Sequence, residues 1–265
     1  MLQGITFDYD GTIGQTAERQ FNWFNYWAKL NSKTLPFKDV REFLAVYNGS
    51  LDKKGGVQNF YDSFSLPCDM NDKTHPVWAA YTEFKKQNSA SLYPGMRKAI
   101  EDIWEVGHLS NNSKRNRRTR LAINTTNSWV SVSQDLQKEG ILHCFDSFVT
   151  SEVLSDYHGA NGGNHITKPS KISLALVLGL IGSEGEFTLH IGDTLNDLAA
   201  SQKVMRLNPL RPETLLTVGV SWGYEGREKL EQGVKALDSS NATVHFNYII
   251  DKPEDLLSIV QRYID

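Results

Sequence analysis

Cysteine is scarce: Cys68 and Cys144 are the only two in 265 residues. They form no disulfide framework and no metal-ligand spacing, so the chain is expected to work in a reducing cytoplasm. Long apolar runs are missing as well. No stretch approaches the length that spans a bilayer, and no charged start leads into an apolar segment as in a signal peptide. Nor is there a surplus of one charge. Lys and Arg number 28 against 31 Asp and Glu, a formal net charge of -3. That offers no global electrostatic case for nucleic acid or an anionic membrane as partner. Internal repeats are absent, and composition does not address the oligomeric state. The remainder is an ordinary globular composition, long enough for one large domain or a core with a smaller second one.

One stretch organises the rest: Gly4-Ile5-Thr6-Phe7-Asp8-Tyr9-Asp10-Gly11-Thr12-Ile13. Ile5, Thr6 and Phe7 are β-branched or aromatic and read as a short buried strand. Gly11 breaks it, which places Asp8 and Asp10 at its C-terminal end, where open α/β sheets bind ligands. Two positions apart on an extended chain, they are expected to point to the same side. Converging carboxylates repel unless a cation lies between them or one carries a proton. A plain Asp-x-Asp-Gly surface turn is the competing reading, and the run alone does not decide.

Residues 15 to 91 hold no convincing β-branched run. They carry aromatics at helical spacing instead: Phe21, Phe24 and Trp27, then Phe43 and Tyr47, then Trp78, Tyr81 and Phe84. This reads as several amphipathic helices packed through their aromatics. Breaks are expected at Asn31-Ser32, Pro36, Asn48-Gly49-Ser50, Gly55-Gly56, Pro67 and Pro76. Asn48, Gly49, Ser50, Lys53 and Lys54 would then lie on a loop. From Tyr93 onward the pattern alternates. Helices are expected over 96–106, 130–139, 172–180, 197–202 and 253–263. Strands are expected over 121–125, 145–149, 187–191, 215–220 and 248–250. Such alternation predicts an α/β fold, a Rossmann-like doubly wound parallel sheet with the helical block inserted. The implied division is 1–14 with 92–265 as the α/β core and 15–91 as the helical insert. Two stretches read as polar loops. One is 108–120, with Lys114, Arg115, Arg117, Arg118 and Arg120; the other is 155–165, rich in Gly, Asn and His.

Further polar residues fall at expected strand ends. Thr125-Thr126-Asn127 closes one strand, Lys168-Pro169 precedes a helix, and Gly192-Asp193-Thr194-Leu195-Asn196-Asp197 follows another strand. Asp-x-Asp-Gly-Thr, a strand-terminal Thr, Lys-Pro and a late Gly-Asp-x-x-x-Asp, in this order, resemble the haloacid dehalogenase superfamily of hydrolases. The helical block resembles that family's C1-type cap. The segment 218–224 is similar to phosphoglycolate phosphatase-like members.

The resemblance implies a Mg²⁺-dependent phosphatase acting on a small phosphorylated metabolite. Asp8 would be the nucleophile that forms an aspartyl-phosphate, and Asp10 the general acid and then base. Asp8, the Asp10 carbonyl and Asp193 would hold Mg²⁺, with Asp197 supporting the metal or the lysine. Thr125 and Lys168 would stabilise the phosphoryl oxygens, and the backbone amides at Tyr9 and Asp10 would cradle them. Thr126-Asn127 competes with Thr125 for this role, and Lys171 with Lys168. Gln15-Thr16 and Ser201-Gln202-Lys203 depart from the phosphoglycolate phosphatase pattern, so the particular substrate stays open. Two other readings stand beside this one. A sugar-phosphate mutase of the same superfamily would return the phosphate to a second hydroxyl. A non-catalytic binding module would use the basic 114–120 loop.

Overall fold

In the computed structural model, residues 2–51, 53, 55–72, 74–109, 118–158, 166–183, 187–205, 214–238 and 241–264 are described. They divide into two compact units, Met1–Gly14 with Leu92–Asp265, and Gln15–Ser91.

Among the described residues the first unit has eight strands: β1 (Gly4–Phe7), β2 (Arg120–Asn124), β3 (Ser147–Val149), β4 (Thr188–Gly192), β5 (Leu215–Val220), β6 (Val234–Lys235), β7 (Thr243–Val244) and β8 (Tyr248–Ile250). Six of these form a parallel sheet in the order β3-β2-β1-β4-β5-β8. β1 therefore pairs with β2 on one side and β4 on the other. The chain first winds outward from β1 through β2 and β3, then returns to lay β4, β5 and β8 on the opposite side. That reversal makes the C-terminal ends of β1 and β4 a topological switch point, where doubly wound sheets open a crevice.

Successive side chains of a strand face opposite sides, and here they divide the core. Ile5, Phe7, Leu121, Ile123, Leu189 and Ile191 pack with Met96, Ile100, Val132, Leu136, Leu256 and Val260. Those partners come from α5 (Met96–Leu109), α6 (Trp129–Lys138) and α11 (Asp255–Ile264). On the other face Ala122 and Val149 pack with Leu154, Leu174, Val177 and Ala200, from α7 (Ser151–His158), α8 (Ile172–Leu180) and α9 (Leu195–Met205). A short helix, α10 (Gly226–Leu230), and the antiparallel pair β6-β7 complete this unit.

The second unit contains α1 (Thr16–Leu30), α2 (Val40–Leu51), α3 (Val57–Ser63) and α4 (Pro76–Gln87). Its centre is aromatic. Phe24 lies 4.5 Å from Phe60 and 4.9 Å from Tyr61, ring centre to ring centre, and Trp23 stacks on Trp27. Burying one such ring contributes about 1.5–3 kcal/mol; Asp39, accepting from Arg41 N and Glu42 N at 2.9 and 3.0 Å, also caps the start of α2. Pro76 sits at the first position of α4, where its missing N–H is not needed.

Several boundaries differ from the sequence expectation, each for a local reason. The break expected at Asn48-Gly49-Ser50 lies inside α2. The roughly 1 kcal/mol that Gly49 costs a helix is outweighed by burial of Phe43 and Tyr47, and the Ser50 hydroxyl donates back to Val46 O at 3.0 Å. Residues 155–158 belong to α7, held by Leu154 in the core, while 159–165 lie outside the described residues, as do Lys54 and 110–117. α7, α10, β6 and β7 were not foreseen; two-residue strands carry no readable period. α9 starts two residues before Asp197, because Leu195 N is capped by Glu225 Oε2 at 2.7 Å.

Candidate active site

β1 ends at Phe7, and Asp8 N donates to Ile191 O of β4 at 2.8 Å. Asp8 thus leaves the sheet beside Gly192, and Asp193 leaves the end of β4 next to it. Beyond Asp8 the chain turns back on itself: Ile13 N and Gly14 N both donate to Tyr9 O, at 3.0 and 2.9 Å. The two expected carboxylates therefore sit on a tight loop rather than on a straight strand, and they find different partners. Asp8 pairs with Lys168. Asp10 accepts from Thr125 Oγ1 at 3.0 Å and from Asn127 Nδ2 at 3.1 Å. Tyr9 between them is fully buried, its hydroxyl donating to Asp135 Oδ2 of α6 at 2.7 Å.

Lys168 Nζ also donates to Asp197 Oδ1 at 2.7 Å. The other Asp197 oxygen accepts from Thr194 N at 3.2 Å and Thr194 Oγ1 at 2.7 Å. Asp193 Oδ1 accepts from Thr12 Oγ1 at 3.2 Å, and its Oδ2 from Tyr224 N at 2.7 Å. Two glycines make room for Asp193. A Cβ on Gly11, whose φ is +83°, would lie 2.2 Å from Asp193 Oδ2, and one on Gly223 would lie 2.3 Å from the same atom. Gly11 is required both by that approach and by a φ that other residues rarely adopt. Trp222 Nε1 donates to Thr12 O at 3.0 Å, tying the segment after β5 to the loop after β1.

The electrostatics are those of too many buried acids. Asp8, Asp193 and Asp197 are all buried, and each offers an oxygen within 4.8 Å of the others'. Burial pushes the Asp8 pKa up to about 7; Asp197 and Asp10 add to the rise and Lys168 opposes it. Asp193 is raised well above the ordinary range by burial, then by Asp8 and Asp197. For Asp197 burial acts upward too, but Lys168 and His190 outweigh it and hold this carboxylate low. Burial works against the Lys168 charge, yet Asp197 and Asp8 outweigh it and hold its pKa above the usual lysine range. Burial pulls the His190 pKa down, with Asp197 opposing. Among the described residues, this is the one cluster of acids, histidines or cysteines dense enough to hold a metal. Three hard oxygen donors around one ammonium are chemically suited to a divalent cation of the Mg²⁺ type.

The structure thus brings together Asp8, Asp10, Thr125, Asn127, Lys168, Asp193 and Asp197. Thr126 and Lys171, the competing candidates, are exposed, and Lys171 stands at the start of α8. Of the basic loop, Arg118 pairs with Asp146, and Arg120 donates to Ile181 O at 3.0 Å. Lys114, Arg115 and Arg117 lie outside the described residues. Sequence reasoning missed Thr12, His190, Thr194, Trp222 and Tyr224. A histidine in the apolar run Leu189-His190-Ile191 was a readable signal. Tyr224 acts through its backbone N–H, which no side chain advertises.

The sequence profile of the haloacid dehalogenase-like hydrolases matches residues 2–204. The chain belongs to this family. Among solved structures, this haloacid dehalogenase-like hydrolase is similar to a predicted phosphoglycolate phosphatase from Haemophilus somnus, with 18% identity, 98% of each chain covered and a TM-score of 0.66. It is also similar to a putative β-phosphoglucomutase from Thermotoga maritima, at 16% identity, covering 99% of this chain and 100% of that one, TM-score 0.61. CbbY from Rhodobacter sphaeroides, solved with phosphate, shares 19% identity over 97% and 96% of the two chains, TM-score 0.61. At these identities the likeness establishes the fold. No curated protein matches the sequence significantly. No helix among the described residues is long and apolar enough to cross a membrane.

Proposed function

We propose that this hydrolase is a Mg²⁺-dependent phosphatase cleaving a small phosphomonoester through an aspartyl-phosphate on Asp8. One observation carries the reading. Two carboxylates two residues apart are held by different partners, Asp8 by the Lys168 ammonium and Asp10 by the neutral donors Thr125 and Asn127. That is a division into nucleophile and proton carrier. An Asp8 oxygen attacks phosphorus in line as the ester oxygen leaves. Asp10 gives its proton to that leaving oxygen, then takes one from the water that hydrolyses the phosphoenzyme. Lys168 and the Thr125 hydroxyl balance charge on the phosphoryl oxygens. Asp8, Asp193 and the Asp10 carbonyl would hold Mg²⁺, with Asp197 behind it, and the ion would offset repulsion between the anionic nucleophile and the anionic substrate. The helical unit, residues 15–91, is proposed as a cap that sets substrate choice, and the working compartment as the cytoplasm.

The test is phosphate release from an aryl phosphate by the native chain and by Asp8→Asn, with Mg²⁺ and with chelator. Mg²⁺-dependent release that disappears in Asp8→Asn is the expected outcome. Release that survives in Asp8→Asn would remove the nucleophile from this account. Turnover of a sugar monophosphate that requires its bisphosphate would point to the mutase instead.

A further inference from the structure

Behind the acidic cluster lies a buried histidine to which the proposed chemistry gives no part. His190 is in the middle of β4, directly across from Thr6 of β1. Both are completely buried. Ile5 and Phe7 point into the core formed with α5, α6 and α11, so Thr6 and His190 share the opposite face. Thr6 Oγ1 lies 2.6 Å from His190 Nδ1. The other ring nitrogen, Nε2, has no well-aligned hydrogen-bond partner, but it lies 3.4 Å from Asp197 Oδ1. That same oxygen accepts from Lys168. A continuous line therefore runs Thr6–His190–Asp197–Lys168–Asp8.

We infer that His190 is a positioning residue: a neutral imidazole carrying its proton on Nε2, set in that form by the Asp197 carboxylate, which can only accept, while the Thr6 hydroxyl can give or take a hydrogen bond at Nδ1; so placed, it orients Asp197 and aims Lys168 at Asp8. The three possible protonation patterns differ sharply in this site. With the proton on Nδ1, the Nε2 lone pair would face a carboxylate oxygen in a dry interior, and unmatched buried polar groups are costly. With both nitrogens protonated, a second cation would compete with Lys168 for the same Asp197 oxygen. With the proton on Nε2, every contact is attractive. Thr6 O–H can then donate to the Nδ1 lone pair, and Nε2–H faces Asp197 Oδ1 across 3.4 Å, short of an aligned hydrogen bond. The hydrogen bond made by one ring nitrogen selects the tautomer presented by the other. Asp197 then has donors on both oxygens, Lys168 and His190 on Oδ1 and Thr194 on Oδ2. Its rotation is stopped without adding charge to the cluster.

The kinetic part of this inference rests on the phosphatase reading; the spectroscopic part does not. The decisive experiment is ¹H–¹⁵N correlation of the full chain labelled with ¹⁵N-histidine, free of metal and with Mg²⁺. His190 is assigned by the signal that disappears in His190→Gln. The expected pattern is an unprotonated Nδ1 and a protonated Nε2 near neutral pH, kept in the isosteric Thr6→Val because Asp197 still faces Nε2. A ring protonated on Nδ1, or on both nitrogens, would overturn the proposal even in a chain with no measurable activity. On phosphate release, His190→Leu and Thr6→Val should each lower kcat roughly 10- to 100-fold, the usual range for outer partners of such sites, with KM changed by no more than about twofold. His190→Gln retains an N–H for Asp197 and should recover most of kcat. If folded His190→Leu and His190→Gln are equally active, or equally impaired, His190 merely fills space.

Discussion

Replacing Asp8 with asparagine is expected to stabilise the metal-free protein while removing its proposed nucleophile. The magnitude follows from the surplus of buried acid. Asp8 is raised from 3.8 to about 7, chiefly by burial. A difference of about 3 units, at about 1.4 kcal/mol each, means that ionised Asp8 opposes folding by about 4 kcal/mol above pH 7. The amide stands for the neutral acid, and its weaker contact with Lys168 is already contained in that shift. The net gain is about 4 kcal/mol, or roughly 8–16 °C in Tm for a chain of this size. The sign with pH is fixed by linkage. The native state binds the Asp8 proton more tightly than the unfolded state does, so stability falls as pH rises between 3.8 and about 7, and levels off above. The advantage of Asp8→Asn should therefore be small near pH 4 and full near pH 8. The assay is thermal unfolding of both chains in chelator across that range, repeated with Mg²⁺. The ion should raise the native Tm and narrow the gap, because binding to the native state alone stabilises it. Asp8→Asn no more stable than the native chain near pH 8, in chelator, would refute the claim that uncompensated charge dominates this site.

Other substitutions separate the remaining assignments. Thr125→Val removes a hydroxyl bound to a carboxylate and should lower kcat roughly 10- to 100-fold, whereas Thr126→Val should leave it within about twofold; steady-state kinetics of the pair decides. Gly223→Ala drives a methyl into Asp193 and should weaken Mg²⁺ binding at least about tenfold by calorimetric titration, with far smaller changes in secondary structure by circular dichroism. In the helical unit, Phe24→Ala empties the centre of the aromatic cluster and should reduce unfolding free energy by about 3–5 kcal/mol in urea; a loss below about 1 kcal/mol would mean the cluster repacks.

The legible parts of this protein share a cause. Buried parallel strands read as short apolar runs, so Ile5 to Phe7, Leu215 to Val220 and Tyr248 to Ile250 were visible with little error. The candidate site residues stand at the ends of those runs, so Asp8, Asp10, Thr125 and Asp193 could be picked out as candidates by position. The helical block announced itself through aromatics at helical spacing, although Gly49 misled because the rings that bury Phe43 and Tyr47 of the same helix, Phe24 and Phe60, lie elsewhere in the chain. β6, β7 and α10 are too short to carry a period.

The sequence by itself determined the order of the six strands of the parallel sheet and of the helices with a readable period, the family and the residue types available for chemistry, because these depend on local periodicity and on motif order. Only the tertiary structure decided which candidates meet. Lys168 rather than Lys171 reaches Asp8, and Thr125 rather than Thr126 reaches Asp10, because a shift of three residues before a helix, or of one at a strand end, turns a side chain to another face. It also decided that Thr6 and His190, 184 positions apart, stand side by side behind the acids. That pairing is set by the register of β1 on β4, a property of the folded sheet and not of either segment alone.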